Sequence, residues 1–290
     1  MDAPEKSERP YVSVVIPVFN RGSMLKSAIE SVLAQTSPPE EIIVVDDGST
    51  DGTCELLKDK FPSIRFLRQS NKGVAAARNL GISSAMGNWI AFLDSDDEWM
   101  QEKLELQLKF LHRKPETKAL HTDEKWIRRG NLVKPPKYLD KSSTRLFDRS
   151  LRHCLISPST TLLHKSIFSI VGLFDESMQV CEDYDFWLRL LVLEEIHLVD
   201  EVLTIKRGGH SDQLSKSIWG MDRLRIRSME KLLRNQELTK NQKLMVLGVL
   251  IEKCHILEKG FGKRKKVSDA WIYRSKKESF AQMIGFLNQE

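Results

Sequence analysis

The chain has 290 residues, of which 41% are hydrophobic and 29% are charged, and these fractions are typical of folded soluble proteins. They exclude disorder, a collagen-like repeat or a coiled-coil rod as a description of the whole chain. This length allows one large domain or two smaller ones. Lys+Arg 45 against Asp+Glu 40 gives a net charge of +5, which is too weak a positive charge to indicate a nucleic-acid partner.

The sequence indicates neither a membrane span nor an export signal. The longest clean apolar run, residues 245–251, is far shorter than the roughly 18–20 residues that a span requires. Residues 1–10 lack the apolar core of a signal peptide. The cysteines are far apart and form no C-x-x-C pair, so we expect reduced thiols in a cytoplasmic protein. They are Cys54, Cys154, Cys181 and Cys254.

Strand and helix signals alternate over the first part of the chain. Short apolar runs rich in Val and Ile predict strands, and amphipathic spacing predicts the helices between them. Strands that alternate with helices pair in parallel through right-handed crossovers, which predicts an α/β fold with a mostly parallel sheet. Gly87 is interpreted as the stop signal of the third helix. The predicted elements are strand 11–19, helix 24–35, strand 41–45, a helix starting near Thr53, strand 64–67, helix 74–85, strand 89–93 and helix 101–112.

The remainder of the chain is less regular and then becomes helical. From about residue 217 only charged, amphipathic helix is indicated, and its spacing fits core packing. We therefore divide the chain into an α/β domain at residues 1–214 and a helical C-terminal extension at residues 215–290. Before that boundary the predicted elements are strands 118–123, 126–133 and 159–164, helices 166–171 and 183–192, and an extended segment 196–206.

Polar clusters follow three of the predicted parallel strands. The carboxyl ends of parallel strands meet at one edge of the sheet, where α/β proteins bind their ligands. Three clusters at one edge favour a nucleotide or phosphate-ester site over a purely structural domain. The clusters are Phe19-Asn20-Arg21, Asp46-Asp47 and Asp94-Ser95-Asp96.

Asp94-Ser95-Asp96 is the strongest local signal. Two carboxylates one residue apart on a turn can meet one hard cation, and Mg²⁺ or Mn²⁺ typically takes one or two protein carboxylates together with substrate phosphate oxygens. The alternative is an acidic turn that caps the following helix. The position of Asp94-Ser95-Asp96 after the fourth strand favours the metal site. Asp97 is then interpreted as the cap of the next helix.

Two further signals near the same edge remain open. Asp46 and Asp47 could accept hydrogen bonds from a base or a ribose, or they could form an Asx-type turn. Arg78 could reach a nucleobase or a phosphate, or it could face solvent. The sequence contains neither G-x-G-x-x-G nor G-x-x-x-x-G-K-[ST], so neither a dinucleotide fold nor a P-loop is supported.

Three signals lie later in the chain. Glu182 and Asp183 could supply a general base for an acceptor hydroxyl, or they could only favour the N-terminus of a helix. His210 follows two glycines and could bind a metal or stay solvated. The basic run 263–266 is interpreted as a solvated segment, with contact to an anionic lipid or a partner as the alternative.

Six motifs occur together in a fixed order: VSVVIPVFNR, EIIVVDDGSTDGT, NKGVAAARNLGI, WIAFLDSDD, GLFDE and CEDYDFWLRL. As an ordered set they resemble the inverting family 2 glycosyltransferases, which bind nucleotide sugars on a GT-A fold. The resemblance covers roughly residues 10–210 and leaves the C-terminal helices uncovered.

The resemblance implies a role for each matching residue. Asp183 matches the catalytic base, with Glu182 beside it, and residues 172–176 match a loop near the donor sugar. The residues implied in nucleotide-sugar binding are Pro17, Phe19, Asn20, Asp46, Asp47, Arg78, Asp94 and Ser95. The residues implied as ligands of Mn²⁺ or Mg²⁺ are Asp94, Asp96 and His210.

The implied reaction is a metal-assisted single displacement that moves a sugar from a UDP-sugar to a hydroxyl with inversion. Two alternatives are a nucleotidyltransferase on a similar sheet, for which loop 20–23 has few glycines, and a non-catalytic sugar-nucleotide-binding protein with a decayed site. The acceptor is left open between a saccharide, a lipid-linked saccharide and a protein. Peripheral contact with the inner face of a membrane and homo-oligomerisation are also left open.

Overall fold

The computed structural model describes residues 10–142, 144–209, 219–235 and 237–289. Within these ranges the chain forms a nine-stranded sheet flanked by helices and ends in further helices. The strands are β1 Val12–Val18, β2 Glu41–Asp46, β3 Arg65–Arg68, β4 Trp89–Phe92, β5 Glu98–Trp99, β6 Ala119–Arg128, β7 Asn131–Val133, β8 Leu162–His164 and β9 His197–Gly208.

Helices connect the strands and then form the last part of the chain. Two short 3₁₀ turns, Lys137–Leu139 and Pro158–Thr160, lie before α5 and β8 respectively. The α-helices are α1 Gly22–Leu33, α2 Thr53–Lys60, α3 Val74–Ser84, α4 Lys103–Arg113, α5 Leu146–Arg152, α6 Ser166–Ile170, α7 Glu182–Leu193, α8 Met221–Asn235, α9 Lys240–Lys263 and α10 Val267–Leu287.

The sheet is parallel in its first half and mixed in its second. Strands β3, β2, β1 and β4 lie side by side and are all parallel, as predicted for strands joined by crossover helices. Beyond β4 the order continues β8, β6, β9 and β5, with β7 paired to β6 as a hairpin. Only the β6–β9 pair is parallel in that half, so the sheet as a whole is mixed.

Two hydrophobic cores lie on opposite faces of the sheet. Alternate side chains of β1 point to opposite faces, so Val14 and Ile16 pack in one core while Val15 packs in the other. Helices α1 and α4 cover the first core, and α3, α6 and α7 cover the second. The buried β1 predicted from its apolar run is confirmed.

The role predicted for Gly87 is wrong. Helix α3 ends at Ser84, and Gly87 instead lies against β1, where its N–H donates to the Ser13 hydroxyl at 2.9 Å. A Cβ at this position would stand 2.6 Å from the carbonyl oxygen of Tyr11. Close approach of two backbones therefore explains the glycine.

Some elements differ from their predicted form. The predicted strands 118–123 and 126–133 are one strand, β6, followed by a turn at Gly130 and the short β7. The predicted strand 159–164 begins as a 3₁₀ turn and is extended only over β8. Strand β5 and helix α5 are not predicted, because neither is long enough to show a hydrophobic period in the sequence.

The C-terminal helices share a third hydrophobic core with α5 and α7. Leu151 of α5 and Tyr184 and Leu188 of α7 pack in it with Ile226 of α8 and Phe280 of α10, so the predicted core packing of the last helices is confirmed. The predicted boundary near residue 215 lies outside the described residues.

Two further predictions concern membrane-spanning helices and the state of the cysteines. No helix in the described ranges is long and apolar enough to cross a membrane. Cys54, Cys181 and Cys254 are buried, Cys154 is half-buried, and all of them are free thiols.

Gly81 tests the packing of α3 on β1. A Cβ there would overlap the side chain of Val15, and overpacking of this kind costs about 1–3 kcal/mol. We expect Gly81→Ala to lower the free energy of unfolding by that amount in urea titrations. The matched control is Gly248→Ala on α9, where a Cβ meets open space and the gain in helix propensity is up to about 1 kcal/mol. If Gly81→Ala and Gly248→Ala had the same free energy of unfolding, the close packing of Gly81 against Val15 would be contradicted.

Candidate functional site

A cavity of about 940 Å³ opens at the carboxyl edge of β1, β2 and β4, and this volume is in the range of ligand sites. Asp46 does not line it, and His210 lies outside the described residues. The other predicted site residues all line it, namely Pro17, Phe19, Asn20, Asp47, Arg78, Asp94, Ser95, Asp96, Glu182 and Asp183. The topology thus brings segments from distant parts of the sequence to one edge.

The acidic pair after β2 is divided between two positions. Asp46 is buried, and its Oδ1 accepts a hydrogen bond from the N–H of Ser49 at 2.8 Å, so this side chain closes the local turn after β2. Asp47 is on the cavity wall, where its carboxylate accepts from the N–H groups of Lys72 and Gly73, each at 2.8 Å. Of the pair, Asp47 is the one placed to face a ligand.

The loop after β1 is fixed to the loop after β2. The N–H of Asn20 donates to the Ser49 hydroxyl at 2.9 Å, and its side-chain oxygen accepts from the N–H of Thr50 at 2.8 Å. Asn20 has a φ of 52°, a left-handed conformation that Asn tolerates better than most residues. The ring of Phe19 is 42% exposed and provides an apolar surface on the wall.

A buried arginine joins the D-x-D turn to helix α7. Nη2 of Arg78 lies 2.7 Å from Oδ1 of Asp94, and Nη1 lies 2.7 Å from Oε1 of Glu182. Burial raises the pKa of Glu182 to about 7, repulsion by Asp183 adds to this, and Arg78 opposes it. The solvent-facing alternative for Arg78 is excluded, because its side chain is only 4% exposed.

The second acid of the D-x-D turn also lies beside an arginine. Oδ2 of Asp96 is 2.5 Å from Nη1 of Arg21 in the loop after β1. Ser95 between the two acids is buried. The side chains of Asp94 and Asp96 keep 27% and 18% exposure, so both remain accessible from the cavity.

Asp97 has a different role from the predicted helix cap. Helix α4 does not begin until Lys103, and Asp97 is buried. Its Oδ2 accepts from the Ser159 hydroxyl at 2.7 Å, and its Oδ1 accepts from the N–H of Arg207 at 3.0 Å. Burial raises the pKa of Asp97 and repulsion by Asp96 adds to it. Asp97 therefore anchors the D-x-D turn to β9.

Asp183 lies at the first turn of α7 and is half-buried on the cavity wall. Its Oδ1 accepts from the N–H of Tyr184 at 2.7 Å, and the thiol of Cys154 lies 3.5 Å from its Oδ2. Burial raises the pKa of Cys154 and the charge of Asp183 adds to it, so this thiol is a donor to the carboxylate. The sequence marks Cys154 only as an isolated cysteine, and no motif identifies this contact.

A lysine that the sequence analysis missed lies among the acids of the site. Lys206 of β9 lines the cavity and donates to the Ser157 hydroxyl at 2.7 Å. Burial lowers the pKa of Lys206, but the negative charges of Glu124, Asp97 and other cavity acids outweigh it and raise the pKa. Lys206 stands in a strand without a motif, so only the fold reveals it.

The cavity wall also carries a buried ion pair and aromatic rings. Lys141 Nζ lies 2.8 Å from Glu124 Oε2. Burial would raise the pKa of Glu124, but Lys141 and Lys206 lower it to about 2. Trp126 donates from its indole to Glu124 at 2.7 Å, and Tyr138 lines the same cavity. Rings beside charged groups are suited to the apolar and polar faces of a sugar.

The donor set fits a cation that is only partly held by protein. Within residues 10–142, 144–209, 219–235 and 237–289, no three His, Cys, Asp or Glu side chains form a group that could hold a metal ion. Asp94 and Asp96 supply two accessible carboxylates on one turn. Mg²⁺ commonly binds one or two carboxylates and completes its shell with water and substrate phosphate, so these two residues fit that kind of site.

The fold and cavity define a class of protein. An α/β sheet with a cavity at the carboxyl ends of its parallel strands, lined by paired carboxylates and arginines, is typical of nucleotide-binding enzymes. A sequence model described as "Glycosyl transferase family 2" matches residues 13–168, which is more than half of the chain. The chain belongs to glycosyl transferase family 2, and the predicted membership is confirmed.

Two bacterial relatives support this membership. The chain is 38% identical over 197 residues to an uncharacterised glycosyltransferase of Rickettsia felis. The aligned region covers 67% of this chain but 32% of that protein. The chain is 31% identical over 246 residues to an uncharacterised glycosyltransferase of Rickettsia prowazekii. Here the aligned region covers 82% of this chain and 76% of that protein. The chain therefore spans only a third of the first relative.

A solved structure confirms the predicted fold. The crystal structure of Staphylococcus aureus TarS residues 1–349, in complex with UDP-GlcNAc, matches this chain with a TM-score of 0.67. The match covers 93% of this chain and 91% of that one at 18% identity. The GT-A type α/β fold with C-terminal helices is thus shown.

Arg78 tests the link between the D-x-D turn and α7. Arg78→Met leaves Asp94 and buried Glu182 without their cation, and breaking a buried pair in this way costs about 3–5 kcal/mol. We expect a loss of that size in the free energy of unfolding measured with urea. Adding Glu182→Gln to this variant should restore part of the loss, because the more buried of the two uncompensated charges is then removed.

The matched control for Arg78→Met is Arg152→Met. Arg152 is 45% exposed and pairs with Asp148 and Glu252 at the surface, where a pair contributes at most about 1 kcal/mol. If Arg78→Met lost no more stability than this control, the bridge would not hold the two acids.

Proposed function

We propose that this chain is an inverting glycosyltransferase that moves a sugar from a uridine diphosphate sugar to an acceptor hydroxyl, assisted by Mn²⁺ or Mg²⁺. One observation carries the proposal: Asp183 lies in the same cavity as the D-x-D carboxylates, and Arg78 joins the two elements. The UDP-GlcNAc complex of the structurally similar TarS supports a uridine nucleotide as the donor.

The donor nucleotide is bound by the loops after β1, β2 and β4. Asp47 offers carboxylate oxygens to donors of the base or ribose, and Phe19 offers a ring surface for the base. Asp94 and Asp96 would hold the cation, which neutralises charge on the leaving diphosphate when it is bound. Arg21 and Arg78 add fixed positive charge near the same groups, which lowers the energy of an anionic leaving group.

Asp183 is the general base of the proposed reaction. Glu182 is held by Arg78, whereas Asp183 is half-buried on the wall with a thiol beside it. Asp183 takes the proton of the acceptor hydroxyl while the hydroxyl oxygen attacks the anomeric carbon opposite the diphosphate. One carboxylate base suffices, because a diphosphate leaves as an anion and needs no proton, unlike the alcohol that a glycosidase expels.

The two alternative functions are less well supported by the site. A triphosphate-cleaving nucleotidyltransferase needs a glycine-rich, basic first loop, and the loop here is fixed by side-chain bonds of Asn20 to the next loop. A decayed binding protein has no need of an accessible Asp183. A decayed binding protein would bind the nucleotide sugar but release no UDP from it, with or without Asp183.

Asp183→Asn tests the base. The amide keeps an oxygen for the N–H of Tyr184, so the local structure should hold, but it cannot take a proton. General bases contribute about 10²- to 10⁴-fold, and we expect a loss of that size in UDP release from the UDP-sugar that stabilises the protein most. Affinity for UDP with Mn²⁺, measured by calorimetry, should stay within about twofold, since the base does not bind nucleotide.

The control for Asp183→Asn is Asp200→Asn on β9, an exposed position away from the cavity lining. It should release UDP at the rate of the unaltered protein. Full turnover by Asp183→Asn would remove Asp183 from the base role.

Asp96→Ala tests the metal carboxylate. A ligand present at 100 times its dissociation constant stabilises a protein by about 2.7 kcal/mol, so UDP with Mn²⁺ should raise the unfolding midpoint of the unaltered protein. We expect Asp96→Ala to lose the Mn²⁺-dependent part of this shift. Exposed Asp59→Ala on α2 should keep it. An unchanged Mn²⁺-dependent shift in Asp96→Ala would contradict the assignment.

A further inference from the structure

Helix α10 presents an outward face that the rest of the described chain does not cover. Its inward residues, such as Tyr273 and Phe280, pack in the third hydrophobic core. Large apolar side chains on the other side are exposed, with Val267 at 75%, Trp271 at 67% and Phe286 at 69%. We define the apolar face of α10 as Val267, Trp271, Ile272, Met283 and Phe286.

These five side chains lie on one side of the helix, with Val267, Trp271 and Ile272 near its start and Met283 and Phe286 near its end. At 100° per residue they fall within an arc of about 160° on the helix. The exposed residues between them are mostly small or uncharged, and Glu278 is the one acid on this arc. An exposed apolar patch of this kind marks a contact with a partner or a membrane.

A run of unpaired lysines lies directly at the start of this face. Lys263, Lys265 and Lys266 are exposed, as is Lys259 one turn earlier on α9. In the described ranges none of these four forms an ion pair, in contrast to Lys277, which pairs with Glu258 at 2.5 Å. Four lysines without carboxylates leave a concentrated positive charge beside apolar side chains.

The basic end of this surface contacts a segment that leads to the wall of the cavity. Trp219 is 49% exposed, and the guanidinium of Arg264 lies 4.4 Å from its ring while Phe261 lies 5.4 Å from it. Met221, two residues after Trp219, lines the cavity. The segment beside the lysines is therefore linked through Trp219 to a residue of the cavity wall.

We propose that the apolar face of α10 and the lysine run form a docking surface for an anionic lipid bilayer. Apolar side chains insert at the boundary of head groups and acyl chains, and lysines contact lipid phosphates, as in other interfacial helices. Each lysine near an anionic surface contributes about fivefold to binding. A second copy of the chain would satisfy the apolar face, but it would have to place carboxylates against the lysines, and this face carries only Glu278.

Vesicle flotation tests the surface with the full chain and defined lipids. We expect binding to phosphatidylcholine vesicles with about one third phosphatidylglycerol, weaker binding in high salt because exposed charges are screened, and little binding to pure phosphatidylcholine. The charge variant Lys263→Glu/Lys265→Glu/Lys266→Glu should bind at least tenfold more weakly, and so should the face variant Trp271→Ser/Phe286→Ser.

The matched control carries the same change of charge elsewhere. Lys58→Glu/Lys114→Glu/Lys240→Glu alters exposed lysines on α2, after α4 and at the opposite end of α9, and should bind vesicles within about threefold of the unaltered chain. Equal binding by the charge variant and the unaltered chain, or no binding of the unaltered chain to anionic vesicles, would overturn the proposal. So would a dimer in light scattering that Trp271→Ser/Phe286→Ser dissociates while vesicle binding persists, since the face would then be a contact between copies.

This inference stands apart from the proposed transfer reaction. Thermal stabilisation by UDP with Mn²⁺ should be the same in the charge variant, the face variant and the unaltered chain, because none of the altered residues lines the cavity. Vesicle binding without nucleotide binding would support the surface and reject the donor site. Nucleotide binding without vesicle binding would support the donor site and reject the docking surface.

Discussion

The candidate site depends on one buried cation. Arg78 is almost fully enclosed and places its two nitrogens 2.7 Å from Asp94 and from Glu182. These acids belong to a turn after β4 and to the first turn of α7, which are far apart in sequence. A buried guanidinium has a fixed, planar set of donors, so it sets the distance between the D-x-D turn and the helix that carries Asp183.

The mixed half of the sheet also holds the D-x-D turn, in addition to Arg78. Strand β9 runs beside β6 and β5, and its residues reach the turn through Asp97, which accepts the N–H of Arg207. The same strand delivers Lys206 into the cavity. The mixed half of the sheet therefore supplies a cation at the edge where the acids of the site lie.

The sequence predicts most of this arrangement and misses the rest for physical reasons. The runs that became β1 to β4 and the acids that follow them are local signals, so the edge of the sheet and its D-x-D turn could be predicted. The partners of Arg78, the thiol beside Asp183 and the position of Lys206 depend on long-range pairing, which leaves no local period. Gly87 was misinterpreted because close backbone approach and a helix stop both select glycine.

The C-terminal helices pack in the same hydrophobic core as α7, the helix that carries Asp183. Tyr184, next to Asp183, is buried in the core that these helices complete, and its hydroxyl donates to the carbonyl of Leu151 at 2.6 Å. Lys231 of α8 lies 3.1 Å from Asp185, which is on the same helix as Asp183. Loss of packing by α8 to α10 would loosen α7 and with it the position of Asp183. The proposed membrane-docking surface on α10 is therefore connected, through the third hydrophobic core, to the helix on which the proposed chemistry takes place.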